Sequence, residues 1–152
     1  MPIKMTNVAG IMASIRQKTE RLSNESMHYW LSWAGEQLRN TALETRTFED
    51  QTGNLASSIG YVLVHDGKIV GKATPNKVKD GDEGVREGQA YLDNLAEKYG
   101  RIGWVLIVSA GMDYAAYVEA SGRVVLSSAE LKAPAIIADA LKGALREAGI
   151  MK

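Results

Sequence analysis

Cysteine is absent from all 152 residues, which removes disulfides, thiolate metal sites and cysteine nucleophiles together. The same absence fits synthesis in a reducing compartment. Histidine occurs twice, phenylalanine once and proline three times. An excess of either charge is also missing. Eighteen basic residues balance eighteen acidic ones, so no global charge draws the chain to nucleic acid or to an anionic membrane. Nowhere do about 18 apolar residues run together, as a membrane-spanning helix requires. The opening Met1-Pro-Ile-Lys4 lacks the basic segment and apolar run of a signal peptide.

What is present is ordinary globular material, with 45% hydrophobic and 24% charged residues. A chain of this length buries about 68–70% of its unfolded surface as one domain, without a disulfide or metal staple.

Residues 6 to 46 read as mostly helix. Val8, Ile11, Met12, Ile15 and Leu22 keep the three-four spacing of one apolar stripe, and Met27, Trp30, Leu31, Ala34 and Leu38 resume it after a polar patch. Thr6 or Asn7 can cap the start, and Ser23-Asn24-Glu25-Ser26 offers a second cap, so two helices or one broken near residue 24 both fit. Ile59 to Val64 is β-rich with both faces partly apolar. It is joined by Asp66-Gly67 to Lys68–Ala73, and an Asp-Gly pair between two β-prone runs is a strong hairpin signal.

Thr74 to Gly84 holds glycines, Pro75 and five charges, a composition that predicts a mobile excursion. Val85, Leu92, Leu95, Ala96 and Tyr99 then mark an amphipathic helix ended by Gly100. Ile102 to Ala110 is short and apolar enough to be a buried central strand. Asp113 is placed to cap a short helix through Glu119, and Arg123-Val-Val-Leu126 reads as a brief strand. Ser127 and Glu130 have capping-box spacing, with Pro134 in the first turn of a last helix running to Gly149. The expectation is a single α+β domain over residues 1–152. A small, mostly antiparallel sheet of about four strands would pack against one layer formed by a long N-terminal, a middle and a C-terminal helix.

Chemistry is sparse. His28 stands alone on a helix and reads as structural. His65 sits in His65-Asp66-Gly67 at the hairpin turn, where further ligands for a metal are lacking. No Gly-x-Ser-x-Gly elbow, phosphate-cradling Gly-rich lysine loop or His-Glu-x-x-His helix occurs. Gly81, Gly84 and Gly88 are spaced like a phosphate loop, but Asp82 and Glu83 would repel an anion, so the stretch reads as loop. Asp113 and Glu119 are the nearest pair for acid–base work, and the simpler reading is a helix cap plus a surface or interface glutamate. Lys68, Lys72, Lys77 and Lys79 form a local basic stretch without interleaved aromatics, better read as a solvated loop than as a DNA contact. Trp30, Trp33 and Trp104 suit a core or a subunit interface. No cofactor, metal or catalytic residue is expected.

Two segments taken together resemble a known family. Thr52-Gly53-Asn54-Leu55-Ala56-Ser57-Ser58-Ile59 follows a long helix and runs into a strand. Tyr114-Ala115-Ala116-Tyr117-Val118-Glu119 comes later, before a terminal helix containing Pro134-Ala135. Their order and spacing, over residues 10 to 148, are similar to the minor structural proteins of long-tailed phages known as head–tail joining, neck or tail-completion proteins. Ala120-Ser121 stand before Gly122 where the family places a glycine sooner, and Ala135-Ile136 replace a usual phenylalanine.

The resemblance implies a non-enzymatic virion component, assembled in the bacterial host cytoplasm and closed into a homo-oligomeric, often hexameric, ring. Its partners would be other neck, connector or tail proteins, with DNA only as cargo through the channel and no membrane. Thr52, Gly53, Leu55, Tyr114, Tyr117 and Glu119 would be scaffold residues. Subunit contacts would come from the first helix and the charged loop, through Trp30, Trp33, Lys77, Lys79, Asp82 and Glu83. The other readings are a cytosolic α+β binding module acting as a dimer and, third, an enzyme with a carboxylate site at Asp113 and Glu119.

Overall fold

The computed structural model describes residues 2–5, 24–73 and 77–150. Among them the chain runs through β1 (Pro2–Met5), α1 (Asn24–Thr45), α2 (Asn54–Ser57), β2 (Ile59–His65), β3 (Lys68–Ala73), α3 (Asp82–Tyr99), β4 (Trp104–Ala110), α4 (Ala115–Ala120) and α5 (Ser127–Glu147). The fold is α+β. The expected helix through Val8 to Leu22, with its caps at Thr6 or Asn7, lies outside the described residues, as do Thr74 to Asn76.

The sheet has four strands in the order β1-β4-β2-β3, and every pairing is antiparallel. The expected strand at Arg123–Leu126 does not form. Val125 and Leu126 turn inward as irregular chain, and the fourth strand is Pro2–Met5, paired with Ser109 to Leu106 of β4. The hairpin is as expected. Asp66 and Gly67 take φ of 48° and 84°, the positive values that a tight primed turn needs.

Helices cover both faces of this sheet, not one. Ile59, Tyr61, Leu63, Trp104, Leu106 and Val108 join the cluster under α1, which in turn carries α5. Their alternate neighbours Val62, Val64, Val105 and Ile107 meet Leu92, Leu95 and Ala96 of α3. An antiparallel strand with one wet face alternates apolar and polar residues. β2 and β4 are apolar on both faces because neither face is wet.

On α1 the buried Met27, Leu31, Ala34, Leu38 and Ala42 keep the stripe that the sequence predicts. On α5, Ala129, Ala133, Ile137, Ala140 and Ala144 let the two helices approach closely. Pro134 falls well inside α5 and not in its first turn. It is exposed there, so water can satisfy the carbonyl that its missing N–H leaves free.

One polar group is sunk into the α1–sheet seam. The Tyr61 hydroxyl donates to Glu36 Oε1 at 3.0 Å, and Arg39 holds the other carboxylate oxygen at 2.7 Å. Burial, then the Glu36 charge, pushes the Tyr61 hydroxyl up to about 12.

Candidate assembly surface

The segment between α1 and β2 is short of apolar residues and rich in small polar ones, and each of these finds a backbone partner. Asp50 Oδ2 accepts the Ala56 amide at 2.8 Å, and the Thr52 hydroxyl accepts the Asn54 amide at 3.3 Å. Gly53 sits at φ 80°, in the left-handed region that a side chain disfavours. Ser58 Oγ donates to the Leu55 carbonyl at 2.7 Å. The result is one helical turn, α2, with Leu55 and Ala56 in the core and Thr52 outside.

Residues 77–84 close over that turn instead of forming the expected mobile loop. Ser57 Oγ accepts the Val78 amide at 2.7 Å and donates to the Val78 carbonyl at 3.2 Å. Lys79 takes a φ of 52°, unusual for a residue with a side chain, and its Nζ donates to the Asp50 carbonyl at 2.7 Å. Lys77 pairs with Asp82 at 3.2 Å. Asp82 and Glu83 are the first two residues of α3, where carboxylates favour the positive end of the helix dipole. The Gly84 amide donates to Asn54 Oδ1 at 3.1 Å, and its Cα is so close to the Asn54 carbonyl that a Cβ would collide with it. The signal for this contact was in the sequence. Gly81, Gly84 and Gly88, three and four apart, make a stripe on which a backbone can lie.

The chain leading into the second motif is tied to the first at Ser58. Its carbonyl and its hydroxyl both accept the Gly111 amide, at 3.3 and 3.1 Å, which holds the end of β4 beside the start of β2. From there α4 projects with Ala115 buried, while Tyr114 and Tyr117 are 41% and 77% exposed. The two tyrosines are therefore surface residues and not packed scaffold. Burial, followed by the charges of Asp50 and Glu83, raises the Tyr114 hydroxyl above its ordinary value.

Glu119 also turns inward from α4, beside the buried Ala115. Its Oε2 accepts the Val125 amide at 2.7 Å and the Leu126 amide at 2.9 Å, and its Oε1 accepts the Ser127 amide at 3.2 Å. It thus caps α5 from a distance, where the capping box at Ser127 and Glu130 was expected and makes no side-chain cap. Burial alone would raise its carboxyl. The hydrogen bonds from Ser127, Leu126 and Val125 outweigh burial and hold it below its ordinary value. Asp113 does not cap α4, whose N-cap is Tyr114 without a side-chain bond.

The six expected contact residues fall in two places. Lys77, Lys79, Asp82 and Glu83 lie in the clasp over α2. Trp30 and Trp33 are partly buried, with Trp30 against Gly143 of α5 and the two indoles edge to face at 5.9 Å. Trp30 lies about 22 Å along α1 from Thr45, beyond which the clasp begins. His28 Nε2 donates to the Val70 carbonyl at 2.7 Å, and His65 stacks on Trp104 at 4.1 Å.

Beside the clasp is a notch of about 380 Å³ lined by Arg46, Phe48, Asp50, Val78 and Lys79, among others, with both charge signs at its rim. Among the described residues, no three His, Asp or Glu side chains are grouped so as to hold a metal, and no helix is long and apolar enough to cross a membrane. Comparison with known proteins gives no match to a family model, to a curated protein or to a solved structure.

Proposed function

We propose that this chain is a non-enzymatic structural component of a tailed-phage or prophage particle, closing with copies of itself into a ring. The ring joins the capsid vertex to the tail or finishes the tail's end, and DNA passes through it as cargo. The observation that carries this reading is the meeting of the two family-like motifs. About fifty residues apart in sequence, they are brought to the same end of the sheet by the bond from Gly111, three residues before the second motif, to Ser58 in the first, and Tyr114 and Tyr117 face solvent there. Exposed tyrosines beside charged groups suit protein–protein contact, since tyrosine offers large apolar area and a hydroxyl at low entropic cost.

Particle assembly tests the role. Removing the chain from a producing lysogen should leave filled heads and tails separate, or tails with unfinished ends, in electron micrographs. Complete, infectious particles would overturn the proposal. Light scattering on the purified chain separates it from the alternative, a two-fold dimeric binding module. The ring gives a higher multiple of the 16.5 kDa subunit, and the module stops at two copies.

A further inference from the structure

We propose that Glu119 latches the segment carrying Tyr114 and Tyr117 onto the start of α5. Neutralising its carboxylate lets residues 112–123 open as a unit from a body that stays folded. This concerns the free chain and is independent of what the tyrosine face contacts.

The segment is fixed firmly at its two ends and lightly between them. At one end the Gly111 amide is bonded to Ser58. At the other, the Val124 amide donates to the Thr47 hydroxyl at 2.7 Å, and its carbonyl accepts the Thr47 amide at 3.2 Å. Between these points backbone bonds run inside the segment, from Ala115 to Met112, from Val118 to Tyr114 and from Ser121 to Tyr117. Ala115 is its one fully buried residue, and Met112 and Val118 are partly buried against the main core. Gly122, at φ 92°, has no atom within 4 Å of where a Cβ would stand. Among the described residues, two of its side chains make polar bonds to the body. Arg123 reaches the Thr47 carbonyl at 3.5 Å, and Glu119 holds three successive amides. A piece of chain with so few buried contacts opens at a lower free energy than the whole fold, so the bonds of Glu119 decide whether it stays closed.

The charge of Glu119 suits it to this task. One oxygen serves Val125 and Leu126 and the other serves Ser127, so both must be acceptors. Hydrogen bonds to an ionised acceptor are about twice as strong as neutral ones. A proton on the carboxyl, or an amide in its place, puts a donor among these N–H groups. The titratable and charged groups on the elements that meet it are Asp113, Tyr114 and Tyr117 around α4, Arg123 after it, Glu130 in α5 and Arg46 next to Thr47. None of their charges is among the causes of the lowered carboxyl, which are the hydrogen bonds acting against burial. The latch is therefore closed at neutral pH and opens as pH falls through the lowered value.

Glu119→Gln tests the latch in the purified chain, read by amide hydrogen exchange. At neutral pH it should cut the protection of the Val118 and Ser121 amides at least about tenfold, with α1, β2 and β4 unchanged. Quickening confined to residues 125–127 would make Glu119 a static cap and overturn the latch. A uniform loss of protection would also overturn it, as would a parent in which Val118 and Ser121 are already unprotected. Tyr114 gives a second readout. Opening frees it from burial and from Asp50 and Glu83, so its hydroxyl should titrate closer to 10.0 in the variant than in the parent. An unmoved Tyr114 sinks the proposal. On acidification the parent should lose the same protection at Val118 and Ser121 while α1 keeps its own, and this arm decides the matter even if the variant does not fold. Protection at those two amides that stays level until the whole chain unfolds overturns the latch.

Discussion

The two faces of the sheet are covered differently. Among the described residues, 24 buried hydrophobics form the cluster on the α1 and α5 side, against seven on the α3 side. The α3 side compensates with close backbone contact and hydrogen bonds. Gly84 lies on Asn54, Gly111 near Gly88, and Ser57 is bonded to Val78. Apolar burial is non-directional and scales with area, so the α1 face holds most of the stability. Hydrogen bonds and tight contacts are directional, so the α3 side fixes the geometry of the surface built around α2 and α4.

The largest test of that division is Leu106→Ala, which empties a fully buried site under α1. It should cost about 3–5 kcal/mol in chemical denaturation, more than Leu92→Ala on the α3 side at about 2–3 kcal/mol. An equal or reversed order would break the comparison. Next, Gly84→Ala should cost about 1–3 kcal/mol, because α3 must lift off the Asn54 carbonyl. Hydrogen exchange at Gly84 and Val78 should quicken while amides of β2 and β4 stay protected, and uniform loss of protection would mean that the faces are not separable.

Glu119→Gln should cost about 0.5–2 kcal/mol at neutral pH by weakening the cap on α5. The folded chain holds this carboxyl below its ordinary value of 4.5. Its contribution is therefore full above that value and is lost as pH falls through the folded one. The gap between parent and variant should close on acidification, and a gap independent of pH would remove the charged cap. The smallest effect on stability belongs to Tyr117→Ala. It should shift denaturation by no more than about 0.5 kcal/mol, since the ring is in solvent, while weakening self-association.

Much of the fold was legible because periodicity reports burial. The stripe from Met27 to Leu38, the Asp66-Gly67 turn and the apolar run from Trp104 to Ala110 each stand where local pattern places them, whereas Ile102, expected at the start of that strand, is exposed before it. Legibility ended where the partner is remote in sequence. Arg123 to Leu126 has strand-forming residues, but its amides go to Val118, Thr47 and Glu119 instead of to a neighbouring strand. The charged, glycine-containing stretch before α3 looks mobile in isolation. It is held because Ser57, Asn54 and Asp50 wait across more than twenty residues of chain. Of the candidate surface, the residues of both motifs were legible. The outward turn of Tyr114 and Tyr117 and the inward turn of Glu119 were not, because one short helix can present either side.

By itself the sequence determined the α+β class, the hairpin, the helix stripes and the absence of cysteine chemistry, all of which follow from composition and from neighbours within a few positions. Only the tertiary structure decided that helices cover both faces of the sheet, that Pro2–Met5 is the fourth strand, and that Glu119 caps a helix beginning eight residues later. Those outcomes depend on which distant groups arrive to satisfy a free amide or cover an apolar face. No local pattern contains that information.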